Sequence, residues 1–355
     1  MEEGVGVRLC RYGSHRVIEP AGAMPQAAWR IDNAPRALAN EILIDVDALN
    51  IDSASFRQMS EACGGDPAAI AEQVSRTVRE RGKQHNPATG SGGMLVGRVA
   101  EIGEHLRERA NLAVGDRVAT LVSLSLTPLV IDEVLQVETA CERLRVRGKA
   151  ILFESGLYAR LPDDLELEVA LAVLDVAGAP AQTRRICRPG DRVLIFGAGG
   201  KSGMLCAAQA RVAVGAQGRV YGLERAATDS TRLLQREGYL DALVEADARD
   251  ALSCLHALST VAADEVDVVI NCVNVPGTEL SSILACRERG IVYFFNMATS
   301  FTAAALGAEG VGRDVDLLIG NGYSRGHAQI ALDTVRDHAA LADYFRRRFT
   351  VPQPA

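Results

Sequence analysis

The segment Val193-Leu-Ile-Phe-Gly-Ala-Gly-Gly-Lys-Ser-Gly203 decides the fold of this chain. Its first four residues are apolar, as in a buried strand, and the stretch from Met204 to Val214 has the composition of a helix. Glycines at positions 197, 200 and 203 permit a tight turn, close approach of a pyrophosphate and close packing of helix on strand. The segment therefore predicts a phosphate-binding turn at the N-terminus of a helix.

The spacing of these glycines distinguishes two kinds of nucleotide site. Gly200-Lys201-Ser202 is similar to the end of a P-loop, but a P-loop also needs a glycine five residues earlier, where this chain has Ile195. A dinucleotide site instead needs a second strand that ends in an acid about 20 residues further on. Arg219–Leu223 is that strand and Glu224 is that acid. The pattern favours a dinucleotide-binding turn. The structural alternative is a glycine turn that binds no ligand.

The acid at the end of the second strand bears on the choice of cofactor. Glu224 favours the free 2′-hydroxyl of NAD, because a carboxylate accepts hydrogen bonds from ribose hydroxyls. Arg225 beside it could instead contact the 2′-phosphate of NADP. We therefore expect NAD, with NADP possible.

The composition restricts the class of protein. A length of 355 residues suggests two domains, and a net charge of −7 gives no sign of the basic patch that nucleic-acid binding needs. The eight cysteines include no Cys-x-x-Cys pair, which argues against a zinc finger or a disulfide framework. No apolar run approaches the ~18–20 residues of a membrane span. We expect a cytoplasmic protein that binds neither nucleic acid nor membranes.

Two different patterns divide the chain near residues 161–164. Before that point, apolar patterns predict strands over 40–47, 94–102 and 116–122, with a surface helix over 66–82. After it, helices and strands alternate, which predicts a parallel, doubly wound sheet. The second part is predicted to contain strands at 193–196, 219–223, 242–245, 267–271, 290–295 and 316–319, and helices at 165–176, 204–214, 230–238 and 327–348.

Polar residues follow several of the predicted parallel strands. Ligands of this fold class bind beyond the carboxyl ends of the strands, so these residues predict one cofactor crevice. Each asparagine among them, taken alone, could equally be a turn residue. The predicted cofactor-binding residues are Gly197, Gly199, Gly200, Lys201, Ser202, Gly203, Glu224, Arg225, Asn271, Asn274, Asn296, Met297 and Asn321.

Several motifs carry a resemblance to known proteins. Val114-Gly-Asp-Arg-Val118, Leu161-Pro-Asp-Asp164 and Arg188-Pro-Gly-Asp-Arg-Val193, followed by the glycine turn, resemble the medium-chain dehydrogenase/reductase superfamily. Within it, the chain resembles the L-erythro-3,5-diaminohexanoate dehydrogenase family from about residue 15 to about residue 335. The segments that carry this resemblance are Asn50–Phe56, Thr89–Met94, Leu121–Pro128, Ile151–Gly156, Leu174–Thr183, Asn271–Pro276, Phe294–Ser300 and Gly320–His327.

The resemblance implies a particular α/β architecture and activity. It implies a strand-rich GroES-like catalytic domain over residues 1–160 and a Rossmann domain over 161–326, with a helix at about 327–355 that could pack back on the first. The implied activity is NAD(P)-dependent oxidative deamination of a small diamino acid, L-erythro-3,5-diaminohexanoate, to 5-amino-3-oxohexanoate and ammonium in lysine degradation. A homodimer is the usual assembly of the superfamily.

One departure from the superfamily concerns metal. Zinc-dependent members carry Cys near position 52 and Gly-His-Glu near 92–94, where this chain has Asp52 and Gly92-Gly93-Met94. Zinc ligands of the usual kinds are therefore missing, and we expect activity without a metal. A zinc-independent quinone or enone reductase on the same scaffold is the alternative enzyme, and a nucleotide sensor without turnover is the alternative outside enzymes.

The expected reaction needs particular side chains. Hydride transfer from an amine carbon needs an unprotonated amine, and hydration of the resulting iminium needs an activated water, so both steps need a base. Two ammonium groups and one carboxylate on the substrate also call for acids and for a cation or backbone donors. The predicted catalytic residues are Asp52, Asp175, Glu154 and His327, and the predicted substrate-binding residues are Ser53, Ser55, Lys83, Ser123, Thr127 and Tyr323.

The main candidates each have a structural alternative. Asp52 is the first choice for the base or ammonium partner, but it could simply cap the next helical turn. Asp175 lies among apolar residues, where a carboxylate is costly unless it is paired or functional. Lys83 could hold the substrate carboxylate or be solvated, and His327 could shuttle a proton or only begin a helix. Lys201 is expected to contact the cofactor pyrophosphate.

Overall fold

The chain divides into two compact units. The structure, a computed structural model, describes residues 9–86, 90–262, 265–320 and 322–350, apart from the side chains of residues 53, 54 and 140. The units are Met1–Pro162 and Asp163–Ala355. One contains an antiparallel sheet and the other a parallel sheet with helices, so the predicted α/β fold class is confirmed.

The first unit is built on a six-stranded antiparallel sheet with strand order β6-β7-β3-β4-β5-β8 and a separate two-stranded ribbon, β1-β2. The alternation in the sequence around residue 44 reflects the burial of one side of β3. The elements are β1 (Val17–Glu19), β2 (Arg30–Ile31), β3 (Glu41–Asn50), α1 (Ser53–Ala62), α2 (Pro67–Arg81), β4 (Met94–Ile102), β5 (Arg117–Thr120), β6 (Leu129–Glu138), β7 (Arg143–Phe153) and β8 (Tyr158–Arg160).

Helix α2 is the surface helix predicted over 66–82. Its N-cap is Asp66, whose carboxylate accepts from the backbone N–H of Ala68. It ends at Gly82, which adopts a left-handed φ of 72°. Ile70, Val74 and Val78, spaced four residues apart, are buried in the core of the first unit. The helix therefore covers the core with one face and exposes the other.

The second unit is a six-stranded parallel sheet with strand order β11-β10-β9-β12-β13-β14. The apolar run 193–196 lies in the interior strand β9, where every one of its side chains is buried. The elements are α3 (Leu167–Leu174), α4 (Gly178–Ile186), β9 (Arg192–Phe196), α5 (Lys201–Val214), β10 (Arg219–Glu224), α6 (Asp229–Arg236), β11 (Ala242–Glu245), α7 (Ala251–Ser259), β12 (Val266–Asn271), α8 (Glu279–Ala285), β13 (Cys286–Phe294), α9 (Phe301–Gly310), β14 (Asp316–Ile319), α10 (His327–Arg336) and α11 (Ala339–Phe349).

The prediction of one terminal helix over 327–348 was wrong. The helix breaks at Asp337 and His338, because His338 leaves the helical conformation, with φ −128° and ψ 84°. The break lets Val335 of α10 and Phe345 of α11 both reach the interior. These helices pack on α3, α4 and α5, so they belong to the second unit, whereas the sequence had suggested a return to the first.

A buried ionic network attaches the N-terminal segment to the sheet of the first unit. Glu41, at the start of β3, is 0% exposed and accepts hydrogen bonds from Arg16 Nε at 2.6 Å and Nη2 at 2.7 Å. His15 Nδ1 accepts from the Cys10 N–H, so its Nε2 carries the proton donated to Glu41. Burial opposes ionisation of Glu41, but bonds from Arg16, His15 and the Leu38 N–H outweigh it and lower the pKa to about 2.

We expect Glu41→Gln to destabilise the protein by about 3–5 kcal/mol at pH 7, because it leaves the buried Arg16 charge with only the exposed Asp32 carboxylate, 3.4 Å from its Nη1, as a partner. The folded-state pKa lies below the unfolded value near 4.5, so the stabilisation is present above pH 4.5 and is lost as the pH falls toward 2. Urea unfolding of wild type and variant across this range should show the difference shrinking with acidification.

The matched control is Glu72→Gln. Glu72 pairs with Arg79 on the exposed face of α2, where both side chains are more than 60% exposed. Such a pair contributes no more than ~1 kcal/mol. Equal effects of the two substitutions would contradict a special role for the buried network.

Candidate functional site

The glycine turn after β9 is shaped by backbone contacts that exclude side chains. Gly197 has a left-handed φ of 74°, and a Cβ on Gly203 would lie 2.1 Å from the Gly197 carbonyl oxygen. Ser230 on α6 donates to the Gly199 carbonyl at 2.8 Å, so the turn is also anchored from outside. Helix α5 begins directly afterwards, at Lys201. The glycine turn therefore lies at the N-terminus of a helix, the arrangement in which an anion-binding turn is expected.

Glu224 is held against this turn. Its Oε1 accepts from the Gly199 N–H at 2.8 Å, and the side chain is half-buried at the end of β10. Burial raises the pKa of Glu224, while the Gly199 N–H and the charge of Arg225 oppose that rise. The carboxylate therefore lies beside the glycine turn, as the ribose contact of a bound dinucleotide requires.

A crevice of about 340 Å³ opens along the carboxyl ends of these strands. Gly197, Gly200, Glu224 and Arg225 line it, as do the two polar residues Asp247 and Arg249. The sequence analysis missed Asp247 and Arg249, although an acid that follows a predicted strand could have pointed to them. Arg249 Nη2 lies 2.6 Å from Asp247 Oδ2, and the two form an exposed ion pair just after β11. Glycines, Glu224 and a crevice of this size together fit a dinucleotide.

The predicted asparagines have mainly internal partners. Asn271 is buried, with Nδ2 donating to Thr278 and Ser282 and with Oδ1 accepting from the Val273 N–H. Asn296 donates to Asn271 Oδ1 at 3.1 Å, and so joins the ends of β12 and β13. These contacts indicate that both asparagines position the crevice loops.

The other predicted crevice residues differ in placement. Asn274 is exposed and Met297 is 90% exposed, so neither packs into the protein. Ser202 lies in the first turn of α5. Asn321 lies outside the described residues.

Asp175 and Lys201 form an ion pair beside the glycine turn. The apolar sequence around Asp175 suggested a buried carboxylate, but the side chain is exposed because it faces outward from the end of α3. Its Oδ2 lies 2.5 Å from Lys201 Nζ, which also sits 5.9 Å from the centre of the Phe349 ring. The Lys201 charge, predicted to contact a pyrophosphate, therefore already has a carboxylate partner.

Tyr323 and His327 lie next to each other in the second unit. Their rings meet edge to face, 5.2 Å apart, and His327 begins α10. Burial lowers the pKa of His327, and a hydrogen bond with the Ser324 backbone opposes this. The imidazole is therefore held toward its neutral form, which makes it a poor source of protons near pH 7.

Asp52 in the first unit caps a helix with one carboxylate oxygen, and its other oxygen takes no part in the cap. Its Oδ1 accepts from the Ser55 N–H at 2.9 Å at the N-terminus of α1, so the capping alternative is observed. Its Oδ2 is buried and has no hydrogen-bond partner within the described part of the chain. Buried oxygens are nearly always hydrogen-bonded in folded proteins, so this atom is a candidate contact for a ligand.

The predicted substrate-binding residues Ser123 and Thr127 flank a short turn. Leu124–Leu126 form a 3₁₀ turn, in which Ser123 accepts from the Ser125 hydroxyl at 2.8 Å and from the Gly92 N–H at 3.2 Å. Thr127 donates to the Ser123 carbonyl. Both predicted residues therefore take part in hydrogen bonds within the turn.

The remaining first-unit candidates have structural partners. Lys83 is fully buried, and its Nζ donates to the carbonyls of Pro25 at 2.6 Å and Gln26 at 3.1 Å. Burial, helped by the Arg81 charge, lowers the Lys83 pKa to about 8.

Glu154 Oε1 lies 3.2 Å from Arg109 Nη2, and both residues line a separate cavity of about 160 Å³. Ser55 is buried in α1, and the side chain of Ser53 lies outside the described residues. These placements favour structural roles for Lys83 and Glu154.

Two polar residues of the first unit that the sequence analysis passed over, Gln84 and His85, directly follow the buried Lys83. Gln84 is 1% exposed, and neither its Oε1 nor His85 Nδ1 finds a hydrogen-bond partner in the residues described. Burial, together with the charges of Arg81 and Lys83, lowers the pKa of His85 to about 4. The signal was available, since a run of four polar residues follows the glycine that ends α2.

The fold and the glycine turn together define the class of the protein, a two-unit α/β protein whose second unit has the Rossmann arrangement of parallel sheet, glycine turn and helix. Solved structures share this fold. CurK enoyl reductase aligns with a TM-score of 0.52 and 20% identity, over 90% of this chain and 81% of that one. AibC aligns with a TM-score of 0.54 and 17% identity, over 89% and 85%. A mycobacterial protein solved with NADPH aligns with a TM-score of 0.51 and 17% identity, over 91% and 86%.

Sequence relatives are more specific. Residues 15–162 match the family model of the L-erythro-3,5-diaminohexanoate dehydrogenase N-terminal domain. The L-erythro-3,5-diaminohexanoate dehydrogenase of Acetoanaerobium sticklandii is 53% identical over 96% of this chain and 99% of its own length. The enzyme of that name from Fusobacterium nucleatum is 53% identical over 95% and 97%. The chain belongs to the L-erythro-3,5-diaminohexanoate dehydrogenase family.

Gly203→Ala should destabilise the protein by about 1–3 kcal/mol, the usual cost of overpacking, and should weaken NADH binding. The added methyl group would displace α5 from the Gly197 carbonyl oxygen and spoil the turn. Urea unfolding and quenching of protein fluorescence by NADH measure the two effects. Gly310→Ala is the control, since a Cβ there meets no atom within 4 Å in the described structure beyond its own helix. Wild-type stability and NADH affinity in Gly203→Ala would refute this account of the turn.

Proposed function

We propose that this chain catalyses the NAD(P)-dependent oxidative deamination of L-erythro-3,5-diaminohexanoate to 5-amino-3-oxohexanoate and ammonium. The observation that carries this proposal is 53% identity to enzymes of that name over almost the full length of both chains. The glycine turn with Glu224, and the acid at position 52, support it independently, because they fit a dinucleotide and a cationic substrate.

The residues of the second unit bind and orient the cofactor. The N-terminus of α5 would bind its pyrophosphate, because N–H groups of the turn itself already donate within the protein, Gly199 to Glu224 and Gly200 to the Gly197 carbonyl. Glu224 would accept from the adenosine ribose. When bound, the nicotinamide would supply the acceptor for a hydride from C3. The chain must then favour the neutral amine at C3, and after hydride loss water adds to the iminium carbon and ammonium leaves.

A quinone or enone reductase is less consistent with the first unit. Such a substrate is neutral and needs an apolar slot. Asp52 Oδ2 and Gln84 Oε1 are instead buried acceptors that find no donor among the described residues. Leaving such atoms unpaired costs about 1–3 kcal/mol each, and a cationic substrate offers N–H donors that relieve this cost.

Incubation with NAD+ and the diamino acid tests the proposal directly. We expect reduced nicotinamide to appear, together with one ammonium for each hydride transferred. Oxidation of NADPH by a quinone, with no reaction of the diamino acid, would instead establish the reductase. Cofactor binding without turnover of either substrate would indicate a sensor.

We expect NAD+ to be preferred over NADP+, because the Glu224 carboxylate would repel a 2′-phosphate. Glu224→Ala should shift kcat/KM toward NADP+ by about tenfold or more, equivalent to ~1.4 kcal/mol. Glu245→Ala, an exposed acid at the end of the neighbouring strand β11, is the control and should leave the ratio unchanged. A wild-type preference for NADP+ would show that Arg225 governs the pocket instead.

We further propose that the reaction needs no metal. Among the described residues, no group of three or more His, Cys, Asp or Glu side chains is placed to hold a metal ion. The activity should therefore survive exhaustive chelation, measured as NADH production before and after dialysis against EDTA. Stoichiometric zinc in the purified protein, with activity lost on its removal and restored on its return, would contradict this.

The proposed setting is a cytoplasmic homodimer that acts in lysine degradation. Strand β14 is an edge of the parallel sheet, with Ile319 exposed, and α9 exposes Phe301 and Leu306. Pairing of two β14 edges about a two-fold axis would satisfy their backbone groups and cover this apolar surface. A monomer in sedimentation equilibrium at micromolar concentration would contradict the pairing.

Of the described helices, none has both the length and the apolar character to cross a bilayer.

A further inference from the structure

Three side-chain atoms of the first unit are buried and can accept hydrogen bonds, one of them an imidazole nitrogen that accepts when the ring proton is on the other nitrogen. They are Asp52 Oδ2, Gln84 Oε1 and His85 Nδ1, and none has a partner in the part of the chain that the structure describes. We call Asp52, Gln84 and His85 the acceptor cluster. Unpaired buried acceptors are rare in folded proteins, and three from two neighbouring segments require an explanation.

Helix α1 and two glycines connect the members of the cluster. Asp52 caps α1, and residues nearly two turns further along that helix contact the segment 84–86: Gln84 Nε2 lies 4.0 Å from Met59 Sδ, and Asn86 donates to Gln58 at 2.8 Å. The segment 84–86 therefore lies along the helix that Asp52 begins.

The adjacent glycines Gly92 and Gly93 hold the same segments together. A Cβ on Gly92 would lie 2.3 Å from the Gln84 carbonyl oxygen, and a Cβ on Gly93 would lie 2.7 Å from Ile51 Cα. Asp52 and His85 directly follow the residues that these glycines touch. Two consecutive glycines therefore bring the backbone of Ile51 and of Gln84, the residues before Asp52 and His85, to the same short stretch of chain.

The chemistry of the cluster fits a primary ammonium. The unpaired atoms are a carboxylate oxygen, an amide oxygen and an imidazole nitrogen, while an ammonium offers three N–H donors and one positive charge. Lys83, the nearest cation in sequence, does not supply the missing donor, because its Nζ points to the Pro25 and Gln26 carbonyls. His85 can accept only when neutral, and burial keeps it neutral at physiological pH.

We propose that the acceptor cluster binds the C5 ammonium of the substrate, the one that is not oxidised. This inference rests on the proposed function, which supplies a substrate with two amino groups. The C3 amine must lose its proton before hydride transfer, and a site that stabilises its charged form would raise the barrier. The C5 ammonium stays charged throughout, so a site complementary to its charge costs nothing in the reaction.

Gln84→Met tests the cluster while keeping the size of the side chain. Loss of a hydrogen bond to a charged group corresponds to about a tenfold to hundredfold rise in KM for the diamino acid, with kcat nearly unchanged. Gln209→Met is the matched control, since Gln209 is also a buried amide with an unpartnered Oε1, but in α5, where it donates to Thr334. Its KM should stay at the wild-type value.

Two substrate analogues separate ammonium binding from general damage. By calorimetry, 5-aminohexanoate should bind wild type more tightly than hexanoate, and Gln84→Met should weaken only 5-aminohexanoate, by about the factor seen in KM. Equal weakening of both analogues, or equal wild-type affinity for both, would overturn the proposal. An ordered water would then be the partner of the cluster.

Asp52→Asn completes the test. A rise in KM with kcat retained supports the ammonium site, whereas a fall in kcat of about 10²–10⁴-fold at constant KM overturns it and makes Asp52 the base. The calorimetric experiment does not depend on turnover. A wild-type protein that selects 5-aminohexanoate but does not oxidise the diamino acid would therefore refute the proposed function and leave the ammonium site standing.

Discussion

The contact between α5 and the turn after β9 is the constraint on which the second unit depends. With Gly203 packed on the Gly197 carbonyl, no side chain fits between helix and turn. This contact aims the N-terminus of α5 at the crevice and leaves the Gly199 N–H free to bind Glu224. The strand order follows the same logic, because β10, which carries Glu224, pairs directly with β9. One steric requirement thus places both the anion site and the ribose acid.

The first unit repeats this principle for a different purpose. Gly93 occupies the position where zinc-dependent members of the superfamily that the sequence resembles carry histidine, and its backbone packs closely on Asn50 and Ile51. Gly92 packs on the Gln84 carbonyl, in the segment 84–86 that contacts α1. The buried atoms without partners among the described residues there are a carboxylate oxygen, an amide oxygen and an imidazole nitrogen, which together offer acceptors and one negative charge to a cationic N–H group.

Asp52 shows that structural and functional explanations of a residue need not exclude each other. A carboxylate has two oxygens, and an N-cap uses only one of them. Oδ1 satisfies the Ser55 N–H, which fixes the side chain in place, and Oδ2 is left buried and available. By contrast, Lys83 donates to a backbone carbonyl and Glu154 pairs with Arg109. Asp175 and Lys201 form an ion pair with each other.

Sequence alone determined the features that depend on local chemistry. The glycine spacing, the acid at position 224 and the apolar runs located the parallel strands and the dinucleotide turn, since each follows from the conformational needs of neighbouring residues. Only the tertiary structure decided which polar side chains lack partners. Ser123 and Thr127 make hydrogen bonds within one 3₁₀ turn. The buried atoms Gln84 Oε1 and His85 Nδ1, by contrast, have no partner among the described residues. Hydrogen-bond satisfaction is a property of contacts between distant segments, and composition and periodicity carry no record of it.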